Sequence, residues 1–99
     1  MTNHAVLAVW TMDNHNFDPV ERDKLLTEDV VPRVSTLPGF VEGRWNRSSD
    51  GVRAYNTVVF DDQAAAEGFV GYVRGDVPAA SAAGVHLHSV ELFDVIGSA

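Results

Sequence analysis

A chain of 99 residues, 45% hydrophobic and 21% charged, suits one globular domain over residues 1–99 and speaks against disorder. Fourteen acidic residues against seven basic ones give a net charge of −7, which repels phosphate backbones and anionic lipid, so nucleic acid and membrane surfaces are excluded as partners. Cysteine is absent, which removes disulfides, thiol catalysis and cysteine-type zinc sites.

The first element expected is a strand over residues 5–12 (AVLAVWTM), apolar on both faces. Its neighbourhood, MTNHAVLAVW, lacks the basic start and long apolar core of a secretion leader, and no run approaches the roughly 18–20 apolar residues of a membrane helix. The expected location is cytoplasmic. Asp18-Pro19-Val20-Glu21 combines an N-cap, a proline at the first helical position and a capping-box acid. Val20, Leu26, Val30, Val34 and Leu37 follow at helical spacing, with a kink or early end expected at Pro32. Glu21, Asp23, Glu28 and Asp29 then form a solvated outer face.

Pro38-Gly39 breaks the chain before a strand over 40–47 (FVEGRWNR), and Ser49-Asp50-Gly51 turns it back into a strand over 52–60 (VRAYNTVVF). Asp61 or Asp62 caps a second helix reaching about Arg74. Gly68 and Gly71 each cost that helix about 1 kcal/mol relative to alanine, which points to a close approach by a strand or a ligand. The alanine- and glycine-rich residues 78–84 read as a loop, and 85–96 (VHLHSVELFDVI) as the last strand.

The order β-α-β-β-α-β predicts an α+β, ferredoxin-like antiparallel sheet with two helices on one face. The first and last strands carry apolar residues at both parities: Val6, Ala8 and Trp10 against Ala5, Leu7 and Val9 in the first, and Leu87, Phe93 and Val95 against Val90, Leu92 and Ile96 in the last. The face without helices therefore needs a cover, and a second copy of the chain in a two-fold homodimer supplies it.

Candidate chemistry starts at His86 and His88, whose i, i+2 spacing puts both rings on one strand face. An antiparallel last strand brings them towards Asp13 and His15, a set able to hold zinc or iron(II) or to supply a base near neutrality; the plainer alternative is a pair of solvated histidines. Trp10, Trp45 and Tyr55 suit either the walls of a flat aromatic pocket or the core and the dimer interface. Arg44 shares a strand face with Glu42, so it either holds an anionic substrate or forms a surface ion pair. Asn56, among apolar neighbours, is a structural hydrogen-bonding group or an oxyanion donor.

The Leu37-Pro38-Gly39-Phe40 turn into FVEGRW, the run YNTVVFDD into an alanine-rich helix, and the closing VELFDVIG resemble the dimeric α+β-barrel superfamily, and within it the antibiotic-biosynthesis-monooxygenase-like proteins. The likeness covers nearly the whole chain and its motifs belong to the fold rather than to one activity. It implies facing sheets in a dimer and a pocket between helices and sheet. Relatives include cofactor-independent monooxygenases acting on planar polyketides, haem-degrading enzymes, lactone isomerases and cyclases. The tryptophan and histidine that haem-degrading relatives carry on the second helix are absent between Asp62 and Arg74, and of the polar or aromatic residues on its later turns only Tyr72 and Arg74 stand as candidates.

The expected function is thus a cofactor-independent monooxygenase or isomerase for a small aromatic or polyketide-like substrate, with no metal. In it His86 or His88 takes a proton, Asn56, Tyr55 or Arg44 steadies the enolate, and Trp10, Trp45, Phe69 and Tyr72 contact the substrate. The alternatives are a non-catalytic binder of a small apolar ligand and a structural dimer.

Overall fold

The computed structural model describes residues 2–13 and 19–99. Four strands, β1 (Asn3–Met12), β2 (Phe40–Arg47), β3 (Arg53–Phe60) and β4 (Val85–Val95), form one antiparallel sheet in the order β2-β3-β1-β4. The helical segments are α1 (Pro19–Leu25), a π-helical turn (Leu26–Val30), α2 (Val31–Ser35), α3 (Gln63–Gly75) and α4 (Val77–Ala82). Helices lie over one face of the sheet, as expected of a ferredoxin-like fold. Among the described residues no helix is long and apolar enough to cross a membrane.

Strand alternation sorts the side chains into two sets of cross-strand rows. On the helix face, read from β2 to β4, these are Phe40–Phe60–His4–Asp94, Gly43–Val58–Val6–Leu92, Trp45–Asn56–Ala8–Val90 and Arg47–Ala54–Trp10–Leu87. Val6, Ala8, Trp10, Val58 and Phe60 from this face bury against Val34 of α2 and Ala66, Phe69 and Val73 of α3 to make the core. The opposite face carries Glu42–Val59–Ala5–Phe93, Arg44–Thr57–Leu7–Glu91, Asn46–Tyr55–Val9–Ser89 and Arg53–Thr11–His86. Among the described residues no helix covers it, and Phe93 and Tyr55 stand exposed there.

Four expectations change. Val20 is not part of the buried stripe but 71% exposed, while Val34 is buried. The π turn widens the helix by one residue, with Val31 N–H donating to the Leu26 carbonyl, and shifts the phase of everything upstream. Pro32 does not end this helix early: the helical run continues to Ser35, with the π turn lying directly before the proline. The expected loop over 78–84 is largely α4, because Pro78 opens a helix that the following alanines favour. Finally, the pairing in β4 slips between Ser89 opposite Val9 and Leu87 opposite Trp10, so His88 has no partner. This bulge puts Leu87 on the helix face with Val90 and Leu92, and leaves Phe93 and Val95 on the open one. The Asp18 cap and His15 lie outside the described residues.

Close packing explains one glycine on β2. A Cβ on Gly43 would fall 2.7 Å from the Trp45 ring, so the indole lies back over this position toward Phe40. The β2–β3 turn is built around Gly51, whose φ of +77° is favourable only for glycine. There the Ser48 hydroxyl donates to Asp50 at 2.6 Å and Val52 N–H donates to the same oxygen at 3.1 Å. These bonds, the serine's first, hold the Asp50 carboxyl below the ordinary carboxylate range. A folded pKa below the unfolded one stabilises the turn at pH above the unfolded value, and that contribution fades as pH falls through the folded value. An NMR carboxyl titration should therefore find Asp50 titrating low, and Ser48→Ala should move it upward; an Asp50 unaffected by that change contradicts the arrangement.

Candidate functional site

The Asp62 side chain accepts from Ala65 N–H at 3.1 Å and starts α3 directly after Phe60–Asp61. Helical spacing then lines up Ala65, Gly68, Phe69 and Tyr72 along one flank of α3. Facing them is the turn after α2, where Leu37 and Pro38 lead into Gly39 at φ +79°. A Cβ on Gly39 would sit 3.0 Å from that of Ala65, so the turn rests on the start of α3. Between the two lies a cavity of about 270 Å³, lined by Leu37, Pro38, Phe60, Ala65, Gly68, Phe69 and Tyr72.

Its wall is a run of packed rings. Phe40 meets Phe60 edge-on at 6.4 Å, Phe60 meets Phe69 at 5.3 Å, and Phe69 stacks on Tyr72 at 5.6 Å with 15° between the planes. Phe60 is buried at one end, and Tyr72 is 37% exposed at the other. Among the described residues the Tyr72 hydroxyl is the single polar side-chain group of the lining. Such a cavity can stack a flat apolar molecule and offer one hydrogen bond. Gly68 and Gly71 have no atom within 4 Å of an added Cβ, so no strand approaches either one, and beside Gly68 the open space is the cavity itself.

Of the residues the sequence proposed as catalytic or substrate-contacting, Phe69 and Tyr72 line this cavity and the others do not. Trp10, Trp45 and Asn56 share the helix face of the sheet: Trp10 is buried in the core, and Asn56 lies half-buried between Trp45 and Ala8 with no side-chain hydrogen bond. Tyr55 and Arg44 are on the open face, where Arg44 makes no ion pair with Glu42. His86 is also on the open face, opposite Thr11, and its Nε2 pairs with Asp13 at 3.0 Å. His88 is exposed in the bulge, so the two histidines do not form the regular i, i+2 pair of an unbroken strand. From His4, which neighbours Phe60, to Thr11 is seven residues along β1, or roughly 23 Å. That length and the opposite faces separate His86 from the cavity. Among the described residues no three histidine, aspartate or glutamate side chains converge on a possible metal position.

One pair went unread. His4, whose side chain is 13% exposed, holds Asp94 through Nδ1 at 3.1 Å. The two residues are 90 positions apart, and only the β1–β4 register brings them together.

No protein-family model and no curated protein matches the chain. Solved structures do match it in fold along almost its whole length. A dimeric ferredoxin-like protein from an uncultured marine organism is 14% identical over all of both chains, with a TM-score of 0.69. SnoaB, a cofactor-independent oxygenase from Streptomyces nogalater, is 20% identical over 97% of this chain and 95% of its own, with a TM-score of 0.68. The ActVA-Orf6 monooxygenase of Streptomyces coelicolor, in complex with nanaomycin D, is 16% identical over 99% of this chain and 89% of its own, with a TM-score of 0.61. The chain thus has a ferredoxin-like fold, which it shares with these proteins.

Proposed function

We propose that the chain acts as a homodimer that binds a small planar aromatic molecule in the cavity beside α3 and oxidises it with molecular oxygen, without a resident cofactor. The observation that carries this reading is the stacked wall of Phe60, Phe69 and Tyr72 with one hydroxyl at its exposed end. A cavity of about 270 Å³ is just below the roughly 300–1,000 Å³ typical of drug-sized ligands, so the ligand is a compact fused-ring molecule. Fold neighbours described as a cofactor-independent oxygenase and as a monooxygenase bound to nanaomycin D support the reaction class. The dimer rests on the apolar strip Ala5, Leu7, Val9 and Val59 on the open face, on the exposed Phe93 and Tyr55 beside it, and on a fold neighbour described as dimeric.

Among the described residues no imidazole, carboxylate or amine lines the cavity. The substrate carbon must therefore be acidic in its own right, a methylene activated by flanking rings and a carbonyl or phenol, which loses its proton to water at the open mouth. Tyr72 donates to the oxygen on which the charge collects. Oxygen then oxidises the carbanion: the methylene loses two hydrogens and gains one oxygen as a carbonyl, and the second oxygen atom leaves as water.

A hydroxyanthrone followed by absorbance and an oxygen electrode tests this. One oxygen molecule should be consumed per substrate, Tyr72→Phe should slow turnover about tenfold, the effect of one lost hydrogen bond to a developing charge, and His86→Ala and His88→Ala should not. Activity lost with His86 and kept with phenylalanine at position 72 would move the chemistry to the other end of β1. That the described lining is apolar apart from Tyr72 also favours a second reading, a carrier, for which the probe binds and no oxygen is taken up.

A further inference from the structure

We infer that the homodimer is assembled in one orientation, β2 of each protomer over β4 of its partner, and that Arg44 and Glu91 lock it there as reciprocal ion pairs. The inference rests on the homodimer reading and adds to it which edges meet and which charges select them.

The argument begins with the four rows of the open face. The Glu42 row ends at Phe93, the Asn46 row runs from Asn46 to Ser89, and the Arg53 row ends at His86. Of these four rows only Arg44–Thr57–Leu7–Glu91 carries opposite formal charges on the two edge strands, with the uncharged Thr57 and Leu7 between them. Both charged side chains are exposed, and neither has an ion pair or side-chain hydrogen bond within the chain among the described residues.

Two sheets packed face to face lie about 10 Å apart, with strand directions within about 30° of each other. A two-fold axis in that interface can run along the strands or across them. Along the strands it reverses the left-to-right order, so the row of one protomer lies over Glu91–Leu7–Thr57–Arg44 of the other. Arg44 then meets the partner's Glu91, Thr57 meets the partner's Leu7, and the two-fold makes each contact twice. Across the strands the order is kept, and β4 lies over β4. The open-face residues of that strand are His86, Ser89, Glu91, Phe93 and Val95, with no lysine or arginine from Val85 to Val95, so Glu91 would be desolvated at the interface with no arginine fork or ammonium to answer it. Arginine and glutamate are long enough to meet across a 10 Å gap, and an arginine fork suits a carboxylate.

Charge exchange in the whole chain tests this, with the dimer dissociation constant read by sedimentation equilibrium. Arg44→Glu and Glu91→Arg should each weaken dimerisation about tenfold or more, since every substitution acts at two places. The double variant should return to within about threefold of the parent, because the pair is rebuilt with its sense reversed. Both sites are exposed strand positions, and thermal melts of the dilute monomers should confirm that the fold survives. If the single variants dimerise as tightly as the parent, or if the double variant is no tighter than the weaker single, the assigned orientation is wrong while the dimer stands. A parent chain that stays monomeric at every concentration instead overturns the homodimer reading on which the orientation depends.

Discussion

Replacing Phe60 with alanine should lower the unfolding free energy by about 3–5 kcal/mol, the largest loss expected from any single side-chain truncation in this chain. The ring is 1% exposed, at the last position of β3, where sheet, α3 and the Leu37 turn converge. It touches Phe40 on one side and Phe69 on the other, so truncation removes its own burial and strips both neighbours of a packing partner. A small domain has a total stability of only about 5–15 kcal/mol, so this loss removes a large share of it. Phe60→Leu keeps most of the volume and should cost about 1.5 kcal/mol or less. Urea melts with matched slopes give both values. A loss below about 1 kcal/mol for the alanine variant would mean that the three rings do not form the junction described.

The same junction explains why the fold was readable and the cavity was not. Strand alternation, the Asp-Gly turn and the Asp62 cap are local signals, and each acts within a few residues of itself. They placed β2 over 40–47 and the other strands within a residue or two of the observed ends. Face assignment on β4 failed because one unpaired residue, His88, reverses parity, and no composition marks a bulge in VHLHSV. The π turn at Leu26–Val30 escaped for the same reason, since one extra residue in a helix changes phase without changing residue type.

Site residues were harder because they depend on which sheet face and which flank of α3 meet. Trp10 and Trp45 share the helix face but pack toward the core rather than into the cavity, while Tyr55 and Arg44 face the other way. Phe60, Leu37 and Pro38 look like ordinary core and turn residues in the sequence and become cavity wall only through long-range pairing. His4 and Asp94 needed the register of two strands at opposite ends of the chain. The glycines of α3 were the one local hint, since a helix interior that accepts a cost of about 1 kcal/mol at Gly68 invites a reason.

That reason gives a prediction in which stability and binding move in opposite directions. Gly68→Ala should raise the unfolding free energy by up to about 1 kcal/mol, because alanine restores helix propensity and an added Cβ meets no protein atom within 4 Å. The methyl group enters the cavity instead, and affinity for a planar aromatic probe should fall about tenfold, as expected when one extra carbon crowds an apolar pocket. Gly71→Ala is the matched control: its Cβ is also unobstructed and the residue is not part of the lining, so the melting temperature should rise with affinity unchanged. Thermal melts and equilibrium titrations on the two variants separate the terms. If Gly68→Ala binds as well as Gly71→Ala, the ligand does not sit against this flank of α3. If instead both variants lose affinity equally, the effect belongs to the helix as a whole and not to the space beside residue 68.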